Sequence, residues 1–167
     1  MITLVYDKDI AISTANAIVN ASNGMGYMGG KWAIKERRRG VAESIQYISN
    51  GAVEKLAKAE CRKHSIFGYP PGSIFVTSAP NMQADFIIHA VTMRTPGSKA
   101  KIKTIKKVVP YIVEISEQMQ FRTVAVPMLG TGTGGLSPID VYDIFAEYFT
   151  KSIVEFFIYK NRVTDKF

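Results

Sequence analysis

The sequence predicts a three-layer α/β domain with a largely parallel central sheet. Short β-rich apolar runs alternate along the chain with segments in which apolar residues recur every three or four positions. That alternation of strands and helices is typical of such a fold. At 167 residues the chain is long enough to bury a real core. Because no repeat, low-complexity tract or linker divides it, we expect one domain over residues 1–160 and a polar C-terminal tail over residues 161–167.

Composition and charge narrow the classes of partner. Hydrophobic residues make up 47% of the chain and charged residues 21%, which favours a globular protein over a disordered one. The 21 Lys and Arg residues outnumber the 14 Asp and Glu residues, giving a net charge of +7. This excess fits either a negatively charged partner such as nucleic acid or a basic surface that is merely solvated.

Three absences in the sequence bear on location and cofactors. The apolar residues of Met1–Tyr6 run directly into Asp7, unlike a signal peptide, and no apolar run reaches the ~20 residues of a membrane span. The single cysteine, Cys61, fits a reducing compartment and an apolar helix stripe. We therefore expect a cytoplasmic protein with no membrane contact. Neither histidine has a partner at metal-ligand spacing, and we expect neither a metal nor a cofactor.

Two strands and a glycine-rich loop are predicted near the N-terminus. Ile2–Tyr6 is a short β-rich run, and Ala17–Val19 predicts a buried strand whose end delivers Asn20 and Asn23 to a loop. The loop continues through a glycine-rich segment, residues 24–30, that leads into a predicted helix. Open α/β sheets bind ligands at the carboxyl ends of their strands, so this loop is a candidate binding element.

A positive cluster, Arg37–Arg39, precedes an amphipathic helix. The cluster is either a solvated helix end, where cations suit the negative end of the helix dipole, or a phosphate or nucleic-acid contact; the first interpretation is favoured. Apolar residues between Val41 and Ala59 recur at spacings of three and four, and Asn50–Gly51 is placed to split this helix in two.

The middle of the chain predicts two strands, over residues 73–77 and 86–90. His89 lies in the second of them and is either a catalytic base or a buried, hydrogen-bonded histidine. The chain has only two histidines and no metal-spaced partner for this one, which favours the buried interpretation.

A long helix with a basic start is predicted next, with apolar residues at helical spacing from Ile102 to Met119. Pro110 should kink or divide it, because proline removes one donor and clashes with the preceding turn. Five lysines crowd its start and form either a solvated face, which is favoured, or part of a nucleic-acid surface: Lys99, Lys101, Lys103, Lys106 and Lys107.

A second glycine-rich loop has the composition of an anion-binding element. The strand-like run Thr123–Val126 leads into four glycines and two threonines, and Ser137–Pro138 then begins a predicted helix. Glycine lets backbone N–H groups turn toward a ligand, and a helix start adds unpaired donors and a positive dipole end. The loop lacks the Lys-Ser/Thr ending of a P-loop and the spacing of a dinucleotide fingerprint, so an anion cradle and a plain turn both remain open. A last strand is predicted over residues 153–159.

These features resemble the macrodomain family of ADP-ribose-binding modules over roughly residues 1–150. No single block is decisive, but their shared order is specific. The resemblance implies a three-layer α/β/α fold with a central mixed, largely parallel six-stranded sheet, and ADP-ribose lying across its carboxyl edge. The blocks are Asp9–Ile10, Ala17–Asn23, Gly26–Gly30, Gly72–Thr77, Ile87–Ala90 and Pro127–Gly135.

The resemblance also implies individual roles. Asp9 would accept a hydrogen bond from the adenine amino group, a task that suits an acceptor-only carboxylate, and Ile10 would offer a neighbouring backbone donor. Asn23 would hydrogen-bond the distal ribose and is the candidate catalytic residue, while Asn20 would support the loop. The two glycine-rich loops would contact the distal ribose and wrap the diphosphate through Gly29, Gly30, Gly130, Thr131, Gly132, Thr133, Gly134 and Gly135.

The chain departs from the family pattern at three places. Lys31–Trp32 stands where small residues are expected, so that either Lys31 adds a phosphate contact or Trp32 narrows the distal pocket. Thr133–Gly134 replaces an aliphatic and an aromatic residue that would hold the distal ribose. The acidic residue that de-ADP-ribosylating members carry after the glycines is missing, because Trp32–Ile34 is apolar.

We therefore expect a module that binds ADP-ribose or ADP-ribosylated protein. An enzymatic version would hydrolyse ADP-ribosyl esters or ADP-ribose 1″-phosphate with a water held near Asn23, since no nucleophile–base pair is visible. The alternative is a nucleic-acid-binding module that uses Arg37–Arg39 and the five lysines. Poly-ADP-ribose, which is also a polyanion, fits both hypotheses.

Overall fold

The computed structural model describes residues 1–166. Over these residues six strands alternate with five α-helices, and one 3-10 turn (Ile10–Ile12) follows the first strand. In chain order they are β1 (Ile2–Tyr6), β2 (Ala17–Asn23), α1 (Gly30–Lys35), α2 (Val41–Ile48), α3 (Ala52–His64), β3 (Ile74–Ser78), β4 (Phe86–Met93), α4 (Ile102–Gln118), β5 (Thr123–Pro127), α5 (Pro138–Phe149) and β6 (Glu155–Lys160).

The strands form one sheet in the order β1-β6-β5-β2-β4-β3. Every neighbouring pair is parallel except β3 and β4, which are antiparallel. The predicted mixed, largely parallel six-stranded sheet is therefore confirmed. Because five strands run the same way, their carboxyl ends meet at one edge, where the loops that follow them can form a common site.

Helices cover the sheet on two faces. Alternate residues of β2 point to opposite sides, so that Val19 packs in the core beneath α4 and α5, whereas Ile18 packs in the core beneath α2 and α3. Both residues are completely buried, as expected for a central strand covered on both faces. This layering is the predicted three-layer α/β/α arrangement.

The structure extends the second strand beyond its predicted end. Asn20 and Asn23 both belong to β2, and only the residues after Asn23 form the loop. The prediction that the strand ends before the two asparagines is therefore wrong for both of them. Polar residues after an apolar run predict a strand end, but pairing with β4 continues through Asn23.

The two predicted helix interruptions have different outcomes. The break at Asn50–Gly51 is confirmed, because both residues adopt positive φ angles, of 52° and 82°, between α2 and α3. Pro110, in contrast, does not divide α4, which continues from Ile102 to Gln118. Proline removes only one donor, and the buried face of the helix, which includes Val109, remains packed on the sheet.

The described part of the C-terminal segment turns back along the carboxyl edge. The Arg162 N–H donates to Asp7 Oδ1 at 3.0 Å, and Asp165 Oδ2 accepts from the Asn161 N–H at 2.7 Å. Asp165 Oδ1 also lies 3.1 Å from the Thr131 hydroxyl, in the loop after β5. Residues 161–166 thus run between the loops that follow β1 and β5. No helix within residues 1–166 is long and apolar enough to cross a membrane.

Candidate functional site

The segments that contain the predicted site residues lie together at the carboxyl edge of the sheet. The loops that follow β1, β2 and β5 begin at this edge, and so do α4 and α5. The Ala100 N–H, just before α4, donates to the Gly134 carbonyl at 3.2 Å and joins the two helix starts. Helix N-termini carry unpaired N–H groups and a positive dipole end, so this edge favours an anion.

Asn23 organises the first glycine-rich loop, residues 24–30. Its Oδ1 accepts hydrogen bonds from the Met25 N–H at 3.0 Å and the Tyr27 N–H at 3.2 Å, and its Nδ2 donates to the Tyr27 carbonyl at 2.8 Å. The side chain is buried and most of its hydrogen-bonding capacity goes to the loop itself. One Nδ2 hydrogen is left for a ligand.

Glu54, a residue that sequence reasoning missed, holds the other half of this loop. Its Oε2 accepts from the Met28 N–H at 2.6 Å and the Gly30 N–H at 2.9 Å, and its Oε1 pairs with Lys58 Nζ at 2.8 Å. Gln46 of α2 donates to the Gly30 carbonyl at 3.2 Å. Two of the donors that this loop could offer an anion, the Met28 and Gly30 N–H groups, are therefore directed inward to a carboxylate of the protein.

The charge on Glu54 is maintained by its partners. Burial raises the pKa of its carboxyl, but the hydrogen bonds from Lys58 and from the two backbone N–H groups outweigh that effect, and the net pKa lies below the ordinary value of 4.5. In sequence, Glu54 and Lys58 form an i,i+4 pair on an amphipathic helix, the usual pattern of a solvated face. No sequence signal shows that this pair lies under the loop.

The side chain of Asn20 bonds to the neighbouring strand and not to the loop. Its Nδ2 lies 3.3 Å from His89 Nδ1, and His89 Nε2 lies 3.0 Å from the Thr77 hydroxyl, so that a hydrogen-bonded row crosses β2, β4 and β3. Burial lowers the pKa of His89 to about 3, and the ring is neutral. The interpretation of His89 as a buried, hydrogen-bonded histidine is confirmed.

Asp9 caps the 3-10 turn after β1. Its Oδ1 accepts from the Ala11 N–H at 2.9 Å, and its Oδ2 accepts from the Ser44 hydroxyl at 2.7 Å and from the Arg37 guanidinium. Partial burial raises the pKa of this carboxyl, but these hydrogen bonds outweigh it and the net pKa is lowered. Ile10 is buried directly after it, and its N–H has no hydrogen-bond partner within residues 1–166.

The basic cluster Arg37–Arg39 directly follows the end of α1 and is exposed, as the favoured interpretation of a solvated helix end predicts. Arg37 reaches back to Asp9 across 28 positions of sequence, while Arg38 lies 3.6 Å from Glu36. Lys31 and Trp32 begin α1 with exposed side chains, and Trp32 is 69% exposed. Its ring lies 5.9 Å from Lys35 Nζ, on the solvent side of the helix.

The second glycine-rich loop, residues 128–137, is held by its own backbone. The N–H groups of Thr131, Gly135 and Leu136 donate to the carbonyls of Met128, Gly132 and Gly130 at 3.4, 3.0 and 2.9 Å. The Thr131 hydroxyl lies within hydrogen-bonding distance of both the Met128 carbonyl and Asp165. The loop is thus closed on itself before α5 begins.

Three consecutive donors of this loop are free. The N–H groups of Gly132, Thr133 and Gly134 have no hydrogen-bond partner in the part of the chain that the structure describes. Gly132 and Thr133 are exposed, whereas Gly134 is buried against Ala100. A Cβ added to Gly134 would lie 2.5 Å from the Gly130 carbonyl oxygen, so no larger residue fits without movement. Successive free amides next to a helix N-terminus form an anion-binding concavity.

The fold and this edge define an α/β module whose second glycine-rich loop presents free backbone donors. The Macro domain model matches residues 19–145, and the chain belongs to this family. An uncharacterized protein of Aquifex aeolicus is 33% identical over 122 residues, which cover 73% of this chain and 65% of the relative. The chain therefore spans about two thirds of that relative's length.

Solved macrodomain structures share the fold. The macrodomain of Mycobacterium tuberculosis DarG superposes with a TM-score of 0.78 at 23% identity, covering 95% of this chain and 97% of the other. Thermosipho africanus DarTG, solved in complex with ADP-ribose, superposes with a TM-score of 0.76 at 23% identity, covering 95% and 41% of the two chains. The family resemblance inferred from the ordered sequence blocks is confirmed.

Proposed function

We propose that this chain binds ADP-ribose, or the ADP-ribosyl group of a modified protein, in the cleft at the carboxyl edge of the sheet. The observation that carries the proposal is the run of three free N–H groups at Gly132–Gly134 beside the start of α5. They suit a diphosphate, which offers several acceptor oxygens and negative charge. Membership of the Macro domain family and the ADP-ribose complex of the Thermosipho relative support the same ligand.

The arrangement of the remaining residues suggests how the rest of the ligand binds. Asp9 accepts the adenine amino group and the free Ile10 N–H supplies a donor beside it, with Arg37 sharing or leaving the carboxylate. The distal ribose lies against the backbone of Gly29 and Gly30 and takes the remaining Nδ2 hydrogen of Asn23. Since the Gly30 N–H is bound to Glu54, the second loop supplies the donors for the diphosphate.

Calorimetry with a series of nucleotides tests this proposal. We expect one binding site for ADP-ribose, and we expect ADP to bind roughly tenfold more tightly than AMP, because the second phosphate adds charge-assisted hydrogen bonds. Circular dichroism of the same sample checks that the protein is folded. Absence of binding heat at millimolar ADP-ribose with folded protein would refute the proposal, and equal affinities for ADP and AMP would remove the diphosphate from the second loop.

Hydrolysis of ADP-ribosyl esters or of ADP-ribose 1″-phosphate is the enzymatic form of the same proposal. Asn23 is its candidate catalytic residue, and its side-chain amide can orient a water or the distal ribose but cannot act as a base. Incubation with an ADP-ribosylated protein and with the 1″-phosphate, followed by chromatography, measures the activity. We expect Asn23→Ala to abolish any turnover; turnover that survives the substitution would exclude Asn23 from the mechanism.

A second candidate function is binding of RNA, DNA or poly-ADP-ribose. It is favoured by five exposed lysines at the start of α4 that have no ion-pair partner among residues 1–166. They begin beside Ala100, which contacts the second glycine-rich loop. Affinity for an oligonucleotide that falls steeply between low and moderate salt would support this function. A flat salt dependence would exclude it.

A further inference from the structure

A second concave site lies on the opposite side of the first glycine-rich loop, between that loop and the end of α3. We call it the Ile66 pocket. It has a volume of about 160 Å³ and is lined by Met25, Tyr27, Lys58, Cys61, Arg62, Ser65, Ile66 and Gly68. Cys61 is buried, and burial raises the pKa of its thiol to about 11, so this part of the wall is neutral. None of the residues assigned to the ADP-ribose cleft lines this pocket.

The walls of the Ile66 pocket are preformed. The Ser65 hydroxyl donates to the Gly68 carbonyl at 2.9 Å and accepts from the Phe67 N–H at 3.1 Å, which fixes a tight turn. The Tyr69 N–H donates to the Gly24 carbonyl at 2.9 Å. A Cβ on Gly68 would lie only 1.9 Å from that carbonyl oxygen, so the turn and the first loop are in direct backbone contact. A ligand would therefore meet an ordered surface.

This ordered turn displays large apolar side chains in water. Ile66 is 84% exposed and Phe67 is 72% exposed, and Met25 of the first loop is 45% exposed beside them. Single exposed apolar residues are common, but a cluster that borders a concave pocket is typical of an interaction site. The apolar surface also extends beyond the pocket, because Phe67 is outside its lining.

The charged side chains in the lining of the pocket are positive, and Glu60, which acts on Cys61 from outside the lining, is paired with Lys63. Lys58 and Arg62 are in its lining, which contains no carboxylate among the described residues. Lys58 is paired with Glu54, whereas Arg62 is exposed and has no ion-pair partner within residues 1–166. The pocket therefore complements an apolar group that is flanked by negative charge.

We propose that the Ile66 pocket docks an extended acidic peptide segment of a partner protein, which inserts one apolar side chain and lays neighbouring carboxylates on Arg62 and Lys58. A cavity of roughly 150 Å³ holds a benzene-sized group, so this one accommodates a single leucine or phenylalanine side chain. A free small molecule of that size would leave Phe67 uncovered, whereas an extended chain can cover it. One face of the Tyr27 ring is already covered by Lys58 Nζ at 5.3 Å, which leaves less of it for a stacked nucleobase.

The Ile66 pocket shares two residues with the loop that Asn23 organises. Met25 and Tyr27 line the Ile66 pocket and are also the two residues whose N–H groups bind Asn23. A protein segment docked there lies next to the first glycine-rich loop. The Ile66 pocket is a different surface from the ADP-ribose cleft, and peptide docking there does not require ADP-ribose.

Fluorescence anisotropy with four labelled nine-residue peptides tests the proposal. Two carry leucine or phenylalanine at the centre of an Asp- and Ser-containing sequence, the third replaces the central residue by serine, and the fourth replaces each Asp of the leucine peptide by Lys. We expect saturable binding of the first two, a loss of about tenfold or more for the serine peptide, because a central anchor dominates such interfaces, and no binding of the lysine peptide.

Protein variants assign the binding to the pocket. We expect Ile66→Ser and Arg62→Gln each to weaken the leucine peptide at least about fivefold. Ile153→Ser is the matched control, because Ile153 is 93% exposed and lies in the turn before β6. ADP-ribose affinity is measured on every variant and should not change, so that failure of the docking site and failure of the cleft are distinguishable.

Four outcomes would overturn the proposal. They are absence of saturable binding by both apolar-centred peptides to folded protein, equal weakening by Ile153→Ser and Ile66→Ser, displacement of the peptide by an oligothymidylate, and a dimer in sedimentation that Ile66→Ser dissociates. The third outcome would assign the surface to nucleic acid, and the fourth would assign it to a second copy of this chain.

Discussion

The two glycine-rich loops have similar compositions and opposite uses. In the first loop, side chains from β2, α2 and α3 satisfy the backbone, and the Met28 and Gly30 N–H groups end on the Glu54 carboxylate. In the second loop, the backbone closes on itself and leaves the N–H groups of Gly132–Gly134 free. The first loop is held by hydrogen bonds from protein side chains, whereas the second keeps three donors for the anion that we propose it binds.

The two loops need glycine for two different reasons. Gly29 and Gly30 have φ angles of 103° and 59°, which turn the chain into α1 while their loop faces inward. Gly134 is required for space, because a Cβ there meets the Gly130 carbonyl. Counting glycines therefore does not identify a phosphate loop. The test is where the N–H groups of the loop go.

The largest expected effect distinguishes two glycines of the second loop. Gly134→Ala places a Cβ 2.5 Å from the Gly130 oxygen and 2.8 Å from the Ala100 Cβ, whereas Gly132→Ala meets nothing within 4 Å. We expect Gly134→Ala to weaken ADP-ribose by roughly 100-fold, since two charge-assisted hydrogen bonds are lost or misdirected. Calorimetry measures both variants. Gly132→Ala should stay within about threefold of the parent, on the same reasoning, and equal losses would contradict the steric explanation.

The next effect concerns stability. Glu54→Ala leaves the buried Met28 N–H and the partly buried Gly30 N–H without their acceptor, and we expect it to lower the free energy of unfolding by about 3 kcal/mol. Glu54→Gln keeps one acceptor oxygen and should cost about 1 kcal/mol. Urea denaturation measures both.

The same variants test whether the first loop can bind an anion. ADP-ribose affinity of Glu54→Gln should remain within about threefold of the parent, because the second loop supplies the donors for the diphosphate. A gain of more than about tenfold in Glu54→Ala would show that the freed amides of the first loop bind phosphate. That result would reverse the assignment of the two loops.

The free energy of unfolding should decrease as the pH is lowered, over two overlapping ranges. The folded-state pKa of His89 is about 3 and its ordinary value is 6.5, so below pH 6.5 the unfolded chain binds a proton that the folded protein does not. The free energy of unfolding then decreases by up to about 1.4 kcal/mol per pH unit. The pKa of Glu54 is lowered from 4.5, so its stabilisation is complete above pH 4.5 and is lost as the pH falls through the folded-state value.

Thermal denaturation between about pH 7.5 and 3.5 measures both effects. Between pH 6.5 and 4.5, the upper window, the decrease comes from His89, and below pH 4.5 the contributions of His89 and Glu54 add. His89→Gln should flatten the upper window and reduce the slope below it, whereas Glu54→Gln should change only the part below pH 4.5. Identical pH profiles for the parent and His89→Gln would mean that His89 does not control the upper window.

The outcome for individual residues shows what sequence can reveal. Short β-rich apolar runs that alternate with segments of helical spacing predicted the α/β class, the family resemblance implied the six-stranded sheet, and strand, glycine loop and helix start predicted the second loop. These signals are local. Glu54, in contrast, is defined by a contact with a loop 24 and 26 positions earlier, and Arg37 by a contact with Asp9 28 positions earlier. Nothing in their own segments distinguishes them from solvated charges.

Asn20 illustrates a different limit. A polar residue after an apolar run predicts the end of a strand. Asn20 is nevertheless completely buried, because His89 on the paired strand supplies a hydrogen-bond partner. The two residues are direct neighbours in the register of β2 and β4. Strand pairing, which is non-local, therefore decided the strand end.

The smallest expected effect concerns the proposed adenine site at Asp9. Like Glu54, Asp9 already accepts hydrogen bonds from the protein at both carboxylate oxygens. The difference is that the Arg37 side chain is 51% exposed, so its contact can open at little cost. We expect Arg37→Ala to raise the affinity for ADP-ribose by no more than about fivefold, because solvent weakens an exposed ion pair. Calorimetry at low and moderate salt measures it, and the difference between the variant and the parent should shrink as salt is added, because salt screens the exposed Arg37–Asp9 pair. If Arg37→Ala instead weakens ADP-ribose by tenfold or more, the guanidinium contacts the ligand, and the cleft has a third cationic or donor element beside the second glycine-rich loop.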